Sequence, residues 1–306
     1  MTIPQQLYKY RMFNVNTLST LCARQVYFAR PHTFNDPLDS TPTITMDVDA
    51  KVAEVLLEKF GGPRRVKSSS PSGSLPRSKA ISPSRQARRI AKGFTPEIER
   101  VARLERIASE VSANLRSTYV DWGVLSLAEH WDCPLMWSHY ADQHRGLCIE
   151  YDYSDAAFSS LKKVEYTDER GITASELLAA PSTSESSKYW KKLFYTKAPQ
   201  WSYEREWRDI SEVSGLHPSF ARVSSVLFGL RCDPAVIATV MRLLSEIDGS
   251  ITFKQVAAIN GRFQLCAAPL NSKKFFADNL VGNQIYDFAD YMRLEGKLGT
   301  WTLKRR

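Results

Sequence analysis

Side chains that could bind a ligand or react with it are concentrated in one short loop, RPHTFNDPLD at residues 30–39. An imidazole, an amide and two carboxylates occur there, at His32, Asn35, Asp36 and Asp39. Asn and Asp beside a proline also form turns, because their side chains bond nearby backbone amides. Both interpretations stay open for Asn35 and Asp36. Asp39 lies beyond the proline, and we predict that it belongs to a binding site.

Acidic residues also allow metal-dependent hydrolysis of nucleic acid as an alternative chemistry. Four carboxylates would then have to converge on one cation: Asp36, Asp39, Glu150 and Asp152. A separate group of histidines and cysteines consists of residue types that commonly bind zinc, namely His130, Cys133, His139, His144 and Cys148. Its spacing lacks the paired short knuckles of a structural zinc site, so we expect no bound metal. The chain also lacks the GxSxG, Walker and GxGxxG motifs.

Composition is that of an ordinary globular protein, with 43% hydrophobic and 24% charged residues in a chain of 306. No apolar run approaches the 18 residues or so of a membrane-spanning helix. The N-terminal residues lack the basic-then-apolar order of a secretory signal. Five scattered cysteines suit free thiols in a reducing compartment, and we therefore expect a cytoplasmic protein. The sequence does not indicate an oligomeric state.

The net charge of +8 belongs to one segment. Residues 62–92 contain nine basic residues and no acidic residue, which leaves the rest of the chain close to neutral. The same stretch is rich in Ser and Pro and poor in large apolar residues. We predict a disordered basic insertion at 62–93, which could contact the phosphates of a nucleic acid.

Hydrophobic periodicity predicts an α+β fold with a mixed β-sheet core and flanking helices. The longest helical patterns are 46–60, a segment that starts at Thr95 and Pro96, and 234–248. YEREWRDISEV, at 203–213, reads as one strand, on which Glu204 and Glu206 would point the same way. We predict a single domain over 1–275, interrupted by the basic insertion, and a C-terminal extension at 276–306.

Five motifs carry a resemblance to a known family. They are LYKYR at 7–11, FNDPLD at 34–39, MWSHYADQHRGLCIEYD at 136–152, KAPQWSYEREWR at 197–208 and VLFGLRCDP at 226–234. In this order they resemble the bacterial family catalogued as domain of unknown function 2971, over roughly residues 5–270. The resemblance implies a common fold but supplies no reaction.

The order of polar residues resembles, more weakly, the ADP-ribosyltransferases of the arginine–serine–glutamate type. Those enzymes carry an arginine on a first strand, a serine on a later strand and a Glu-x-Glu pair near the end of the catalytic core. The matching positions here are Arg11, Ser126, Glu204 and Glu206. The resemblance implies an ADP-ribosyltransferase-like fold and NAD as the consumed substrate.

Residue roles follow from that resemblance. Arg11, with Tyr10 beside it, would bind the pyrophosphate through the planar guanidinium. Ser126 would order the strand edge beside the nicotinamide. Glu206 would be catalytic and stabilise the oxocarbenium-like state, and Glu204 would orient the acceptor. The loop residues Asn35, Asp36 and Asp39 would contact the nicotinamide or the ribose.

The function expected from these positions is an NAD-consuming enzyme that binds a small nucleotide ligand, in a stress or phage-defence setting. Two alternatives stay open, a non-catalytic module that binds a ligand or peptide and a metal-dependent nuclease. Glu206 could instead form a structural ion pair with Arg11 or Arg208. Arg11, Ser126 and Glu206 in one cleft would favour NAD, whereas burial in ion pairs would favour the binding module.

Overall fold

The computed structural model describes residues 3–60, 96–154, 161–180, 188–272 and 274–276. The predicted basic insertion at 62–93 lies outside these residues, as does the predicted C-terminal extension apart from Phe276. Contacts group the chain into two compact units, which are described separately below. The first unit is 1–30, 122–166 and 198–306, and the second is 31–121 and 167–197. The predicted single domain over 1–275 stays a prediction.

The secondary structure alternates short strands with helices. The strands are β1 (Gln6–Arg11), β2 (Gln25–Phe28), β3 (Thr43–Thr45), β4 (Gly123–Ala128), β5 (Leu147–Asp152), β6 (Lys162–Lys163), β7 (Glu165–Tyr166), β8 (Gly171–Thr173), β9 (Thr196–Lys197), β10 (Glu206–Ser211), β11 (Gly215–Pro218), β12 (Arg222–Phe228), β13 (Thr252–Ala258) and β14 (Leu265–Pro269). The helices are α1 (Val15–Cys22), α2 (Ala50–Phe60), α3 (Pro96–Thr118), α4 (Pro134–Tyr140), α5 (Ala174–Ala179), α6 (Lys188–Phe194) and α7 (Pro234–Ile247). Short 3-10 helices cover Pro31–Thr33 and Pro199–Glu204.

The first unit is built on an eight-stranded sheet in the order β14-β13-β12-β5-β1-β4-β10-β6. Strands β12 and β13 are parallel, and the other neighbouring strands are antiparallel. Together with the helices, this large mixed sheet confirms the predicted α+β class. Strands β2 and β11 form a separate antiparallel pair.

Both faces of the sheet are covered, which explains why its central strands are apolar along their length. On one face, Leu7 and Leu147 pack in a core cluster with α1 and α7. On the other face, Tyr8 and Tyr10 pack against Trp137 of α4. Alternate residues of the motif LYKYR therefore serve two different cores.

A strained turn leads into β5. Asp142, Gln143 and His144 have φ angles of 46°, 53° and 69°, in the left-handed region that residues with a side chain seldom adopt. Gly229 passes so close to this turn that a Cβ there would lie 2.2 Å from the His144 carbonyl oxygen. The motif ADQHRG thus fixes the start of a central strand.

The prediction of one continuous strand through both glutamates was wrong. Glu204 is the last residue of a 3-10 helix, and β10 begins only at Glu206. Arg205 between them has a φ of 44°, and its N–H donates to the Ser202 carbonyl oxygen within the 3-10 helix at 3.3 Å. Its own carbonyl oxygen accepts from the Glu129 N–H at 3.1 Å. This left-handed residue breaks the alternation that would have aligned the two carboxylates.

The second unit packs helices around a small parallel pair of strands, β3 and β8. Helix α3 packs against α2 and against β3. Helix α5 starts with a capping box, in which Thr173 and Glu176 bond each other's backbone N–H. Of the helices in the described ranges, none is both long and apolar enough to cross a membrane.

Candidate functional site

Ser126, Glu206 and Arg208 lie next to one another on one face of the sheet. Strands β4 and β10 pair so that Ser126 is opposite Arg208 and Ala128 is opposite Glu206. Because side chains alternate along a strand, positions 126 and 128 share a face with 206 and 208. The structure therefore brings together the predicted serine and the second predicted glutamate, with Arg208 as the adjacent arginine.

Arg11 points to the opposite side of the sheet. Tyr8 is paired with Ala128, which places Tyr8 on the face that carries the serine and the glutamate. Arg11 is three residues farther along an unbroken strand, so its side chain leaves the other face. There, burial raises the pKa of Tyr151 and the charge of Arg11 opposes that shift. The structure does not bring Arg11 together with the other residues of the predicted NAD site.

Tyr10 shares the face of Ser126 but is a packed side chain. Its ring meets Trp137 edge to face at 5.2 Å between centroids. Its hydroxyl donates to the His130 carbonyl oxygen at 3.0 Å, and burial raises its pKa strongly. These contacts give Tyr10 a structural role in the core beneath α4.

Glu206 and Arg208 form a buried ion pair. The Arg208 Nε donates to one Glu206 oxygen at 2.8 Å, and Nη2 donates to the other at 3.0 Å. Their side chains are only 4% and 1% exposed. The Glu206 backbone N–H donates to the Tyr166 hydroxyl at 2.8 Å. This is the structural ion pair that the sequence left open as an alternative, and it occupies both oxygens of the predicted catalytic carboxylate.

Glu204 is also buried, and it is bonded to a tyrosine. The Tyr140 hydroxyl donates to Glu204 Oε1 at 2.7 Å. Aromatic side chains of α4 and the 3-10 helix also meet, with His139 stacked on Tyr203 and edge-on to Trp201, each at 6.4 Å between ring centroids. Glu204 thus joins α4 to the segment that enters β10.

The opening loop is the segment at residues 30–39, and from Pro31 onward it belongs to the second unit. Asn35 and Asp36 bond the backbone of the loop itself. The Asp36 carboxylate accepts from the Leu38 N–H at 2.8 Å, and the Asn35 side chain accepts from the Asp36 N–H at 3.1 Å. These are the turn contacts that the sequence left open for both residues. Asp39 is buried and lies 3.6 Å from the Lys197 ammonium group.

Glu150 and Asp152, two of the four carboxylates that a metal-dependent nuclease would need, each bond other side chains. Glu150 accepts from Ser224 at 2.8 Å and from Lys254 at 3.0 Å. Asp152 accepts from Ser154 at 2.6 Å. Within the described residues, no group of three or more His, Cys, Asp and Glu side chains is placed to hold a metal ion.

A cavity of about 320 Å³ lies in the second unit, beside the opening loop. One side of it is apolar. The last turn of α3, the two residues that follow α3 and the end of α6 form this side, with Leu115, Tyr119, Val120, Leu193 and Phe194. The other side carries polar groups, namely His32, Ser40, Thr41 and Arg116. Sequence reasoning singled out His32 but missed the rest, because three distant segments make the cavity.

The comparisons with known proteins concern the segment that contains the Tyr140–Glu204 bond and the Glu206–Arg208 pair. Residues 136–208 match the family model described as Protein of unknown function (DUF2971). The match supports the family resemblance predicted from the motifs, over these residues, which contain two of those motifs in full. The other three motifs lie outside the matched residues. Searches of curated proteins and of solved structures give no match. The ADP-ribosyltransferase-like fold stays a prediction.

Proposed function

We propose that this protein is a non-catalytic binding module whose ligand is a mononucleotide, held in the cavity beside the opening loop. The observation that carries the proposal is the division of that cavity into an apolar aromatic side and a polar side with an arginine whose side chain has no partner among the described residues. Ligand pockets typically combine apolar walls with a few polar groups that fix orientation. The predicted catalytic carboxylates, in contrast, are buried in contacts with protein side chains.

The apolar side suits a nucleobase. Tyr119 and Phe194 meet edge to face at 5.6 Å, and Leu193 continues the same wall. Planar rings bind such walls by stacking and by dispersion contacts. The volume, about 320 Å³, lies at the low end of the range for small-molecule pockets, which favours one nucleotide over a dinucleotide.

The polar side suits a phosphate group. Arg116 is an exposed residue in the last turn of α3, and neither its side chain nor that of His32 forms a hydrogen bond or an ion pair with another described residue. A guanidinium group binds phosphate through two parallel N–H bonds. The hydroxyls of Ser40 and Thr41 line the same side, and because each donates its proton within the loop, their oxygens could accept from a ribose hydroxyl.

The opening loop would hold this polar side in place. Ser40 has a left-handed φ of 51°, and its hydroxyl donates to Asp39 at 3.0 Å. Asp39 is in turn held by Lys197. In this proposal the carboxylates of the loop position the residues that meet the ligand, and they do not bind it themselves.

Calorimetric titration with AMP and with adenosine tests the proposal. AMP should bind more tightly than adenosine, and Arg116→Gln should weaken AMP binding about tenfold while it leaves adenosine binding unchanged. Arg106→Gln is the matched control, because Arg106 lies on the same helix, outside the cavity, and its side chain pairs with Glu110 at 3.1 Å on the surface. Equal AMP binding by both variants would contradict the proposal.

A second candidate is the NAD-consuming enzyme, favoured by one observation. Ser126, Arg208 and Glu206 adjoin on one face, so that Arg208 could serve in place of the predicted Arg11. Turnover would require Glu206 to leave the ion pair. Folded protein incubated with NAD labelled in the nicotinamide ring should then release nicotinamide, and Glu206→Gln should abolish the release. No release from the folded wild-type protein would eliminate this candidate.

A further inference from the structure

The geometry points to a second binding site, in the first unit, for a small carboxylate that has an apolar body and a hydrogen-bonding group at its far end. The site is a cleft of about 260 Å³ between the end of α1, the end of α7 and the start of β12. It lies in a different unit from the proposed nucleotide cavity and shares no residue with it.

Tyr151 supplies a hydroxyl to the cleft. It lines the cleft and is 4% exposed, and its hydroxyl forms no hydrogen bond with any described residue. A phenol hydroxyl both donates and accepts, so this group can bond a polar group of a ligand in the cleft. Burial raises the pKa of Tyr151, so the phenol stays protonated and able to donate at neutral pH.

Apolar side chains line the space between this hydroxyl and the rim. Leu21, Leu244 and Ile251 come from the two helices and the strand entry around the cleft. Phe220 lines it as well and is 68% exposed. The body of the ligand should therefore be apolar.

Two arginines at the rim provide the charge for a carboxylate. Arg24 and Arg222 both line the cleft, and their side chains are 64% and 57% exposed. Their ion pairs are long, at 3.6 Å from Arg24 to Asp248 and 3.5 Å from Arg222 to Asp152. Strong charge-assisted bonds are roughly 2.7–2.9 Å long, so both guanidinium groups are only weakly held.

The two aspartates are bonded mainly by serines. The Ser250 hydroxyl donates to Asp248 at 2.6 Å, and its backbone N–H donates to the same oxygen at 3.0 Å. Asp152 has the same two bonds from Ser154, at 2.6 and 3.0 Å. These bonds are the largest cause of the lowered pKa of each aspartate. The carboxylate of a ligand could thus bind the two guanidinium groups in place of the aspartates, and each aspartate would keep its bonds from serine.

The test uses 4-hydroxybenzoate, benzoate and benzamide in calorimetric titrations of the full chain. Wild type should bind 4-hydroxybenzoate most tightly and benzamide, which lacks the charge, least. Arg222→Gln and Arg24→Gln should each weaken 4-hydroxybenzoate binding about threefold to tenfold, whereas Arg262→Gln, on an exposed turn of the same unit, should have no effect.

Tyr151→Phe provides the second measurement. It should remove the preference for 4-hydroxybenzoate over benzoate and leave the affinity for benzoate unchanged. The proposal is overturned if none of the three compounds binds the folded protein, or if binding does not respond to the two rim arginines. Because Tyr151→Phe keeps the buried ring, its melting temperature should stay close to that of the wild type, and the binding result can be read directly.

Discussion

Replacement of Asp39 by Asn should destabilise the second unit, because it removes a negative charge that faces a buried lysine. The side chains of Asp39 and Lys197 are 2% and 6% exposed and lie 3.6 Å apart. At an effective dielectric constant of about 20, two charges at this distance attract by roughly 4–5 kcal/mol. Loss of one charge of a buried pair costs about 3–5 kcal/mol, since the remaining buried charge loses its counter-charge. The melting temperature should fall by roughly 6–20 °C.

Urea unfolding followed by circular dichroism measures this loss, and hydrogen exchange of β3 and β8 assigns it to the second unit. Asp36→Asn is the matched control, because the Asn oxygen can still accept from the Leu38 N–H, and stability should change by less than about 0.5 kcal/mol. The double variant Asp39→Asn, Lys197→Met should regain most of the loss, since neither charge is then left unpaired. A loss below about 1 kcal/mol in the single variant would refute the reasoning.

Two further predictions concern the turn before β5 and the cap of α5. Gly229→Ala should cost about 1–3 kcal/mol in urea unfolding, because its Cβ would meet the His144 carbonyl oxygen at 2.2 Å, whereas Gly249→Ala should be nearly neutral, with its nearest neighbour at 3.9 Å. Burial alone would raise the pKa of Glu176, but bonds from the cap N–H and from Lys192 outweigh it and hold that pKa below the usual 4.5. The ionised carboxylate therefore stabilises the fold above about pH 4.5 and loses this effect as the pH falls through the folded-state pKa. The difference in the free energy of unfolding between wild type and Glu176→Gln should be largest at pH 7 and should disappear as the pH falls below the folded-state pKa. A difference that does not depend on pH would contradict this assignment.

The sequence was most informative for elements with a strong local signal. Asn14 is of a residue type that favours helix caps, and its side chain accepts from the Thr17 N–H at 2.8 Å at the start of α1. The apolar period of 234–248 corresponds to helix α7, which starts after the cap at Asp233. Such signals are local, because each depends on residues within one or two turns of the chain.

The candidate site was less predictable because its geometry depends on pairings between distant strands. The face to which Arg11 points follows from the register of β1 against β4, and no local pattern fixes that register. Arg205 adopts a left-handed conformation where its carbonyl accepts from Glu129, so a tertiary contact overrides the strand pattern of YEREW. The cavity of the second unit is assembled from three segments whose proximity only the fold creates.

Photolabelling with 8-azidoadenosine monophosphate, followed by peptide mapping, tests the proposed nucleotide site most directly. The account predicts label in the segments 115–120 and 193–194, and protection of both by excess AMP. It also predicts loss of label in Val120→Trp, because Val120 lines the cavity and is 47% exposed, so that the larger side chain would occupy the cavity. Val120→Trp should keep the melting temperature of the wild type, because the replaced side chain is not part of a core. Label that AMP does not protect, or that maps instead to the arginine-rimmed cleft at 20–25 and 219–223, would contradict the central claim.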